Sequence, residues 1–194
     1  MVVFVPIVEG HGEVQAVPAL LHRLVRSANP ALPVRINPPI RVKSGSFVND
    51  DDYFHRQLSL AAAKARQTQG HVLILLDCDD DCPAQLGPKL LARAKEVRAD
   101  VSVSVCLARR EYETWFIAAA DSLRGIAGLP DDLAAPADPE LYRDAKGWLS
   151  ERMTRPYDPI IHQLEFTRVF DLDQARSNDS FRHLRAQLQQ LVAP

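Results

Sequence analysis

The sequence predicts an α/β fold, a mainly parallel sheet flanked by helices with a helical C-terminal extension. Three observations predict it. Val2 to Val8, His71 to Leu76 and Val101 to Leu107 are short, nearly unbroken apolar runs rich in β-branched residues. Parallel strands read this way because helices cover both of their faces. Stretches with apolar residues at helical spacing separate these runs. Strands and helices alternate through residue 123, the pattern of crossover-connected parallel strands.

The elements follow in order. Pro6 interrupts the first run, which suits an edge or a strand end better than a sheet centre, because proline donates no ladder hydrogen bond. Glu9-Gly-His-Gly-Glu13 is a tight connection. Val14, Val17, Leu20, Leu21, Leu24 and Val25 then mark a helix, with Pro18 in its first turn or at a kink. Residues 29–51 read as loops around one short strand between Pro33 and Val42. Asp52 to Gln69 is a helix by the spacing of Phe54, Leu58, Ala61, Ala62 and Ala65, with Gly70 its natural stop. After the His71 strand, Asp77-Cys-Asp-Asp-Asp-Cys-Pro83 leads to a helix from about Gly87 to Arg98. Arg109 to Trp115 leaves the third strand and enters a helix ending near Leu123. Residues 125–140 form a loop, and short helices follow over Leu141–Met153, His162–Phe166 and Phe181–Leu191. The expected organisation is one structural unit, a core over residues 1–124 and a helical extension over 125–194 packed on it.

Composition narrows the function. The 194 residues are 46% hydrophobic, ample for a core, and carry 23 basic against 25 acidic residues, a net charge of −2. A protein that coats DNA through bulk basicity is excluded. Cys78, Cys82 and Cys106 are too few for a secreted disulfide scaffold. The apolar start is short and lacks a basic lead, and no run reaches the about 18 apolar residues of a membrane span. The expectation is a cytoplasmic protein without a membrane partner.

In open α/β sheets, ligands sit beyond the carboxyl ends of the strands. Three strands here run into acids at that end: Glu9 and Glu13, then Asp77, Asp79, Asp80 and Asp81, then Glu111 and Glu113. Extended backbone sends Asp77 and Asp79 to one side and Cys78 to the other. Crowded carboxylates need protons or cations to neutralise them, and an all-oxygen set suits Mg²⁺ or Mn²⁺. The plainer alternative for each is a solvated turn or a helix-start acid.

Val8-Glu-Gly-His-Gly-Glu13 and Leu75-Leu-Asp-Cys-Asp79 resemble the Glu-Gly and Asp-x-Asp signatures of Toprim domains. More narrowly, with Val17-Pro-Ala-Leu-Leu21, Arg110-Glu-Tyr-Glu-Thr-Trp-Phe116 and Ser180-Phe181, the chain resembles the DUF4276 family. The resemblance implies a Toprim-like, Rossmann-like sheet. It implies that Glu9 acts in acid–base or metal-organising chemistry and that Asp77 and Asp79 bind Mg²⁺ or Mn²⁺. By likeness to overcoming-lysogeny-defect nucleases, Glu13 joins them, with Glu113 a later acid and Asp81 an extra one. The implied activity is metal-dependent phosphodiester hydrolysis of DNA or RNA, in genome defence or DNA repair. The chain has no room for the nucleophilic-tyrosine domain of a topoisomerase. Lys146, Arg109, Arg110 and Lys43 are the candidates to steady phosphate charge or hold nucleic acid, each weighed against an ordinary solvated surface role. The competing reading is a non-catalytic subunit that binds nucleic acid or a partner protein, such as an ATPase.

Other motifs carry less. Cys78 and Cys82 lack the second ligand pair a zinc site needs. The Asp-x-Asp string is also found in haloacid-dehalogenase phosphatases, but that reading leaves Glu9 unexplained. Trp115 and Trp148 suit helix packing better than base stacking. No Walker-type phosphate loop is present.

Overall fold

The structure, a computed structural model, describes residues 1–193. Its sheet holds β1 (Val2–Val8), β2 (Val34–Ile36), β3 (Ile40–Arg41), β4 (His71–Asp77) and β5 (Ser102–Ala108), in the order β2-β1-β4-β5 with β3 also pairing β1. Every pairing is parallel. The chain leaves β1 toward β2 and then crosses to β4 on the opposite side of β1. The point where direction reverses lies between β1 and β4, the crevice where such sheets bind ligands.

Alternation of side chains assigns each strand residue to a layer. Phe4, Val8, Leu73, Leu75, Cys106 and Ala108 join one core with α1 (Glu13–Ala28) and the helices of the C-terminal part. Val5, Ile7, Val72, Ile74, Leu76, Cys78, Val105 and Leu107 face the other core. That second layer is built from α2 (Ser44–Asn49), α3 (Asp51–Thr68) and α4 (Pro83–Val97). After β5 come α5 (Thr114–Ala118), α6 (Ala145–Ser150), α7 (Pro159–Val169) and α8 (Asp179–Val192). Phe116 packs edge-on against Phe166 of α7 and against Phe170, and Trp115 packs edge-on against Phe181 of α8, so the late helices share a core with the sheet. No described helix is long and apolar enough to cross a membrane.

Several sequence expectations need correction. β1 is central, not an edge, although it contains Pro6. The register explains why this is tolerated: β2 pairs with residues 2–4 of β1 and β3 with residues 7 and 8. Pro6 falls at the interruption between them, where no ladder donor is required. Pro18 and Pro88 lie inside α1 and α4, and α4 starts at Pro83, ahead of the expected Gly87. The left-handed residue that ends α3 is Gln69, at φ 49°, rather than Gly70. Residues 29–51 contain two short strands and a helix instead of one strand.

Candidate functional site

Five acids line one cavity of about 340 Å³ at the carboxyl end of the sheet: Glu9, Glu13, Asp77 and Glu113, from three chain segments around the strand ends, and Asp158, just ahead of α7. Glu9 leaves β1, Glu13 opens α1, Asp77 is the last residue of β4 and Glu113 precedes α5. Lys146 of α6 and Pro159, Ile160 and Gln163 of α7 complete much of the wall, with His11 at its exposed side.

Each acid is fixed differently. Ser44 Oγ donates to Glu9 Oε1 at 2.6 Å, while Glu9 Oε2 is buried with no partner. Glu13 Oε2 accepts the Glu9 amide at 3.0 Å. Asp77 Oδ1 accepts the Tyr112 amide at 2.7 Å, and its Oδ2 lies 3.9 Å from Lys146 Nζ. Glu113, wholly buried, accepts at Oε1 from Tyr157 Oη at 3.1 Å and from Gln163 Nε2 at 3.2 Å. Its Oε2 lies 3.2 Å from Lys146 Nζ, an ion pair outside hydrogen-bond alignment. Lys146 Nζ is bonded at 2.6 Å to Glu111 Oε1, and Glu111 Oε2 accepts the Ala145 amide at 2.8 Å, capping the start of α6.

The electrostatics follow from burial. Removal from water raises the Glu13 carboxyl to about 7, against the lowering effect of the backbone amides that it accepts. Burial, and then the neighbouring Glu13 and Glu113, lift Asp77 well above the usual carboxylate range. Glu113 is raised by burial and pulled back by Lys146. Burial opposes the charge on Lys146, but Glu113 and Asp77 outweigh it and hold the ammonium above its ordinary value. One cation thus faces more negative charge than it can balance.

The tight Glu9–Glu13 connection is seated on α7. A Cβ at Gly12 would lie 2.4 Å from the Pro159 carbonyl oxygen and 2.3 Å from Gln163 Oε1. Gly12 is helical in conformation, at φ −65°, so lack of space, not backbone freedom, demands glycine here.

The structure brings Glu9, Glu13, Asp77, Glu113 and Lys146 together and leaves other candidates outside. Asp79 and Asp81 are exposed and do not line the cavity. The expected alternation fails because β4 ends at Asp77 and Asp79 turns to φ 44°. Arg110, at φ 66°, pairs with Asp80. Arg109 pairs with Glu140 at 3.4 Å and lines a separate groove between α4 and α8. Lys43 is exposed beside Ser44 but does not line the cavity. Ser44, Tyr157 and Gln163 are not among the sequence candidates for the site. They carry no sequence signal, since their roles arise from packing; Glu111, one of the strand-end acids, stays outside the cavity and anchors Lys146.

The donor set is all oxygen and electron-rich, and Glu9 Oε2 has no protein partner, which fits a hard divalent cation. Among the described residues, no three His, Cys, Asp or Glu side chains already converge at metal-ligand spacing; Lys146 stands among these acids instead.

The family model described as a domain of unknown function (DUF4276) matches residues 8–189. No curated protein and no solved structure matches the chain.

Proposed function

The chain belongs to the DUF4276 family, and from its cavity we propose Mg²⁺- or Mn²⁺-dependent hydrolysis of phosphodiester bonds in nucleic acid, carried out in the cytoplasm on a Toprim-like arrangement of acids. The observation that carries the reading is the shared cavity of Glu9, Glu13, Asp77 and Glu113 at the switch point of the sheet. A structural ion pair would need one acid for Lys146, not four buried or half-buried ones, three of them, Glu13, Asp77 and Glu113, with proton affinity raised by burial.

Glu9, Glu13, Asp77 and Glu113 are the residues that would hold the cation. When bound, it supplies Lewis acidity toward a phosphate oxygen and acidifies a coordinated water. Ser44 fixes one oxygen of Glu9 and leaves the other free, so Glu9 is oriented to take a proton from an attacking water. Tyr157 and Gln163 hold Glu113 in place, and the Tyr112 amide holds Asp77. Lys146, anchored by Glu111, offers positive charge to a developing phosphorane. Hydrolysis of an activated phosphodiester, assayed with Mn²⁺, tests the reading. Activity in the wild type that is lost in Glu9→Gln and Asp77→Asn supports it; activity unchanged in both removes it.

A second reading has one observation in its favour. Lys146 already touches Glu111, Glu113 and Asp77, as it would in a non-catalytic subunit that binds nucleic acid or a protein partner such as an ATPase. On that reading Mn²⁺ leaves the melting temperature unchanged.

A further inference from the structure

We propose that the substrate of this cavity is a single-stranded nucleic acid, presented about one nucleotide at a time, and not the interior of a duplex; the inference rests on the hydrolytic reading above. Depth is the first argument. Glu113 has no exposed surface, Glu13 is 3% exposed and the Asp77 side chain 12%. A phosphate reaches them only by entering the cavity. The volume of about 340 Å³ is at the lower end of the range of roughly 300–1,000 Å³ for pockets that enclose a small ligand. A duplex, with a persistence length of about 50 nm, does not fold one phosphate into such a recess without a deformation penalty. A single strand turns a nucleotide out at little cost.

Charge is the second argument. Lys146 is the sole Lys or Arg lining the cavity among the described residues, and it is already paired. Arg109 and Arg110 are held by Glu140 and Asp80. A duplex-binding surface needs a run of cations along the phosphates, and the lining of this cavity holds no such run in a chain of net charge −2.

The third argument is the rim. Ile160 and Ile161 stand 62% and 64% exposed at the start of α7, and Ile160 lines the cavity beside Pro159. One exposed apolar side chain is ordinary. Here Ile160 stands at the edge of a recess that also holds Glu9, Glu13, Asp77 and Glu113, and Ile161 follows it in the chain; the face of an unstacked base is an apolar surface that fits beside such a cluster of acids. Ile160 and Pro159 therefore receive the base while the acids receive its phosphate.

The test compares a fluorescently labelled single-stranded oligonucleotide, as DNA and as RNA, with a covalently closed, relaxed duplex circle and with bis(p-nitrophenyl) phosphate, all with Mn²⁺. The expected result is shortening of a single strand with the circle intact. It includes a KM about fivefold higher for that strand in Ile160→Ser, with kcat nearly unchanged, the size of one lost apolar contact. Nicking of the circle at a comparable rate overturns the inference and leaves the hydrolytic reading standing. So does cleavage of the small ester with neither polymer touched. An unchanged KM in Ile160→Ser overturns the placement of the base. Cleavage of none of these substrates removes the hydrolytic reading itself, and this inference with it.

Discussion

Lys146 Nζ lies 3.2 Å from Oε2 of Glu113, a carboxyl with no exposed surface. The two residues come from separate elements, one in α6 and one at the mouth of α5, and their contact ties the late helices to the end of the sheet. Removing the cation leaves Glu113 and Asp77 buried with less compensation. Lys146→Met is expected to destabilise the metal-free protein by about 1–2 kcal/mol, the cost of a broken buried pair discounted for the 37% exposure of Lys146. Urea unfolding measures it. Because the acids then carry uncompensated charge, Mn²⁺ is expected to raise the melting temperature of Lys146→Met by more than that of the wild type.

Gly12 supplies a local test of how the acid-bearing loop is seated. Gly12→Ala drives a methyl into the Pro159 carbonyl, and an overpacking cost of about 1–3 kcal/mol is expected. Gly45→Ala is the control. It lies within α2 with nothing within 4 Å of the added Cβ, so the better helix propensity of alanine is expected to stabilise by up to about 1 kcal/mol. Thermal melts of the two variants should move in opposite directions.

A stability profile against pH is set at the other end of the sheet. His71 Nδ1 lies 2.7 Å from Ser102 Oγ, and its Nε2 contacts Ser104 Oγ. Burial pushes the imidazole down to about 4. The unfolded chain, with an ordinary histidine, therefore binds more protons than the folded one between about 6.5 and 4. Stability from this group is complete above about 6.5 and falls as the pH drops toward 4, by on the order of 3 kcal/mol. His71→Gln is expected to flatten that part of the profile in denaturant titrations.

Thiol chemistry separates the three cysteines. Cys82 is exposed, while Cys78 and Cys106 are buried. Burial raises the Cys78 thiol and pushes Cys106 up to about 12. Ellman's reagent is expected to titrate one thiol quickly in the native protein and the remaining two only on unfolding. Cys82→Ser should abolish the fast phase.

Much of this architecture is legible in the sequence, for physical reasons that also mark where legibility ends. β4 and β5 announce themselves because strands covered on both faces must be apolar throughout. Glu9 and Asp77 could be placed together because strand ends at a switch point converge whatever the details. Asp79 could not, since its position depends on where β4 stops and on one left-handed residue. Pro6 misleads because its tolerance depends on the register of two partner strands far along the chain. Lys146 was visible only as one of several cations; what distinguishes it is the anchoring by Glu111, a contact across 35 positions. Tyr157 and Gln163 reach Glu113 from α7 and the loop before it, and nothing in their local sequence points there.

Calorimetric titration of Mn²⁺ into the wild type and Asp77→Asn tests the central claim most directly. The account predicts saturable binding by the wild type, weakened at least about tenfold by the substitution. It also predicts proton release, and affinity that falls as the pH drops below about 7, where Glu13 takes up its proton. No binding by the wild type, or equal binding by both proteins, contradicts it.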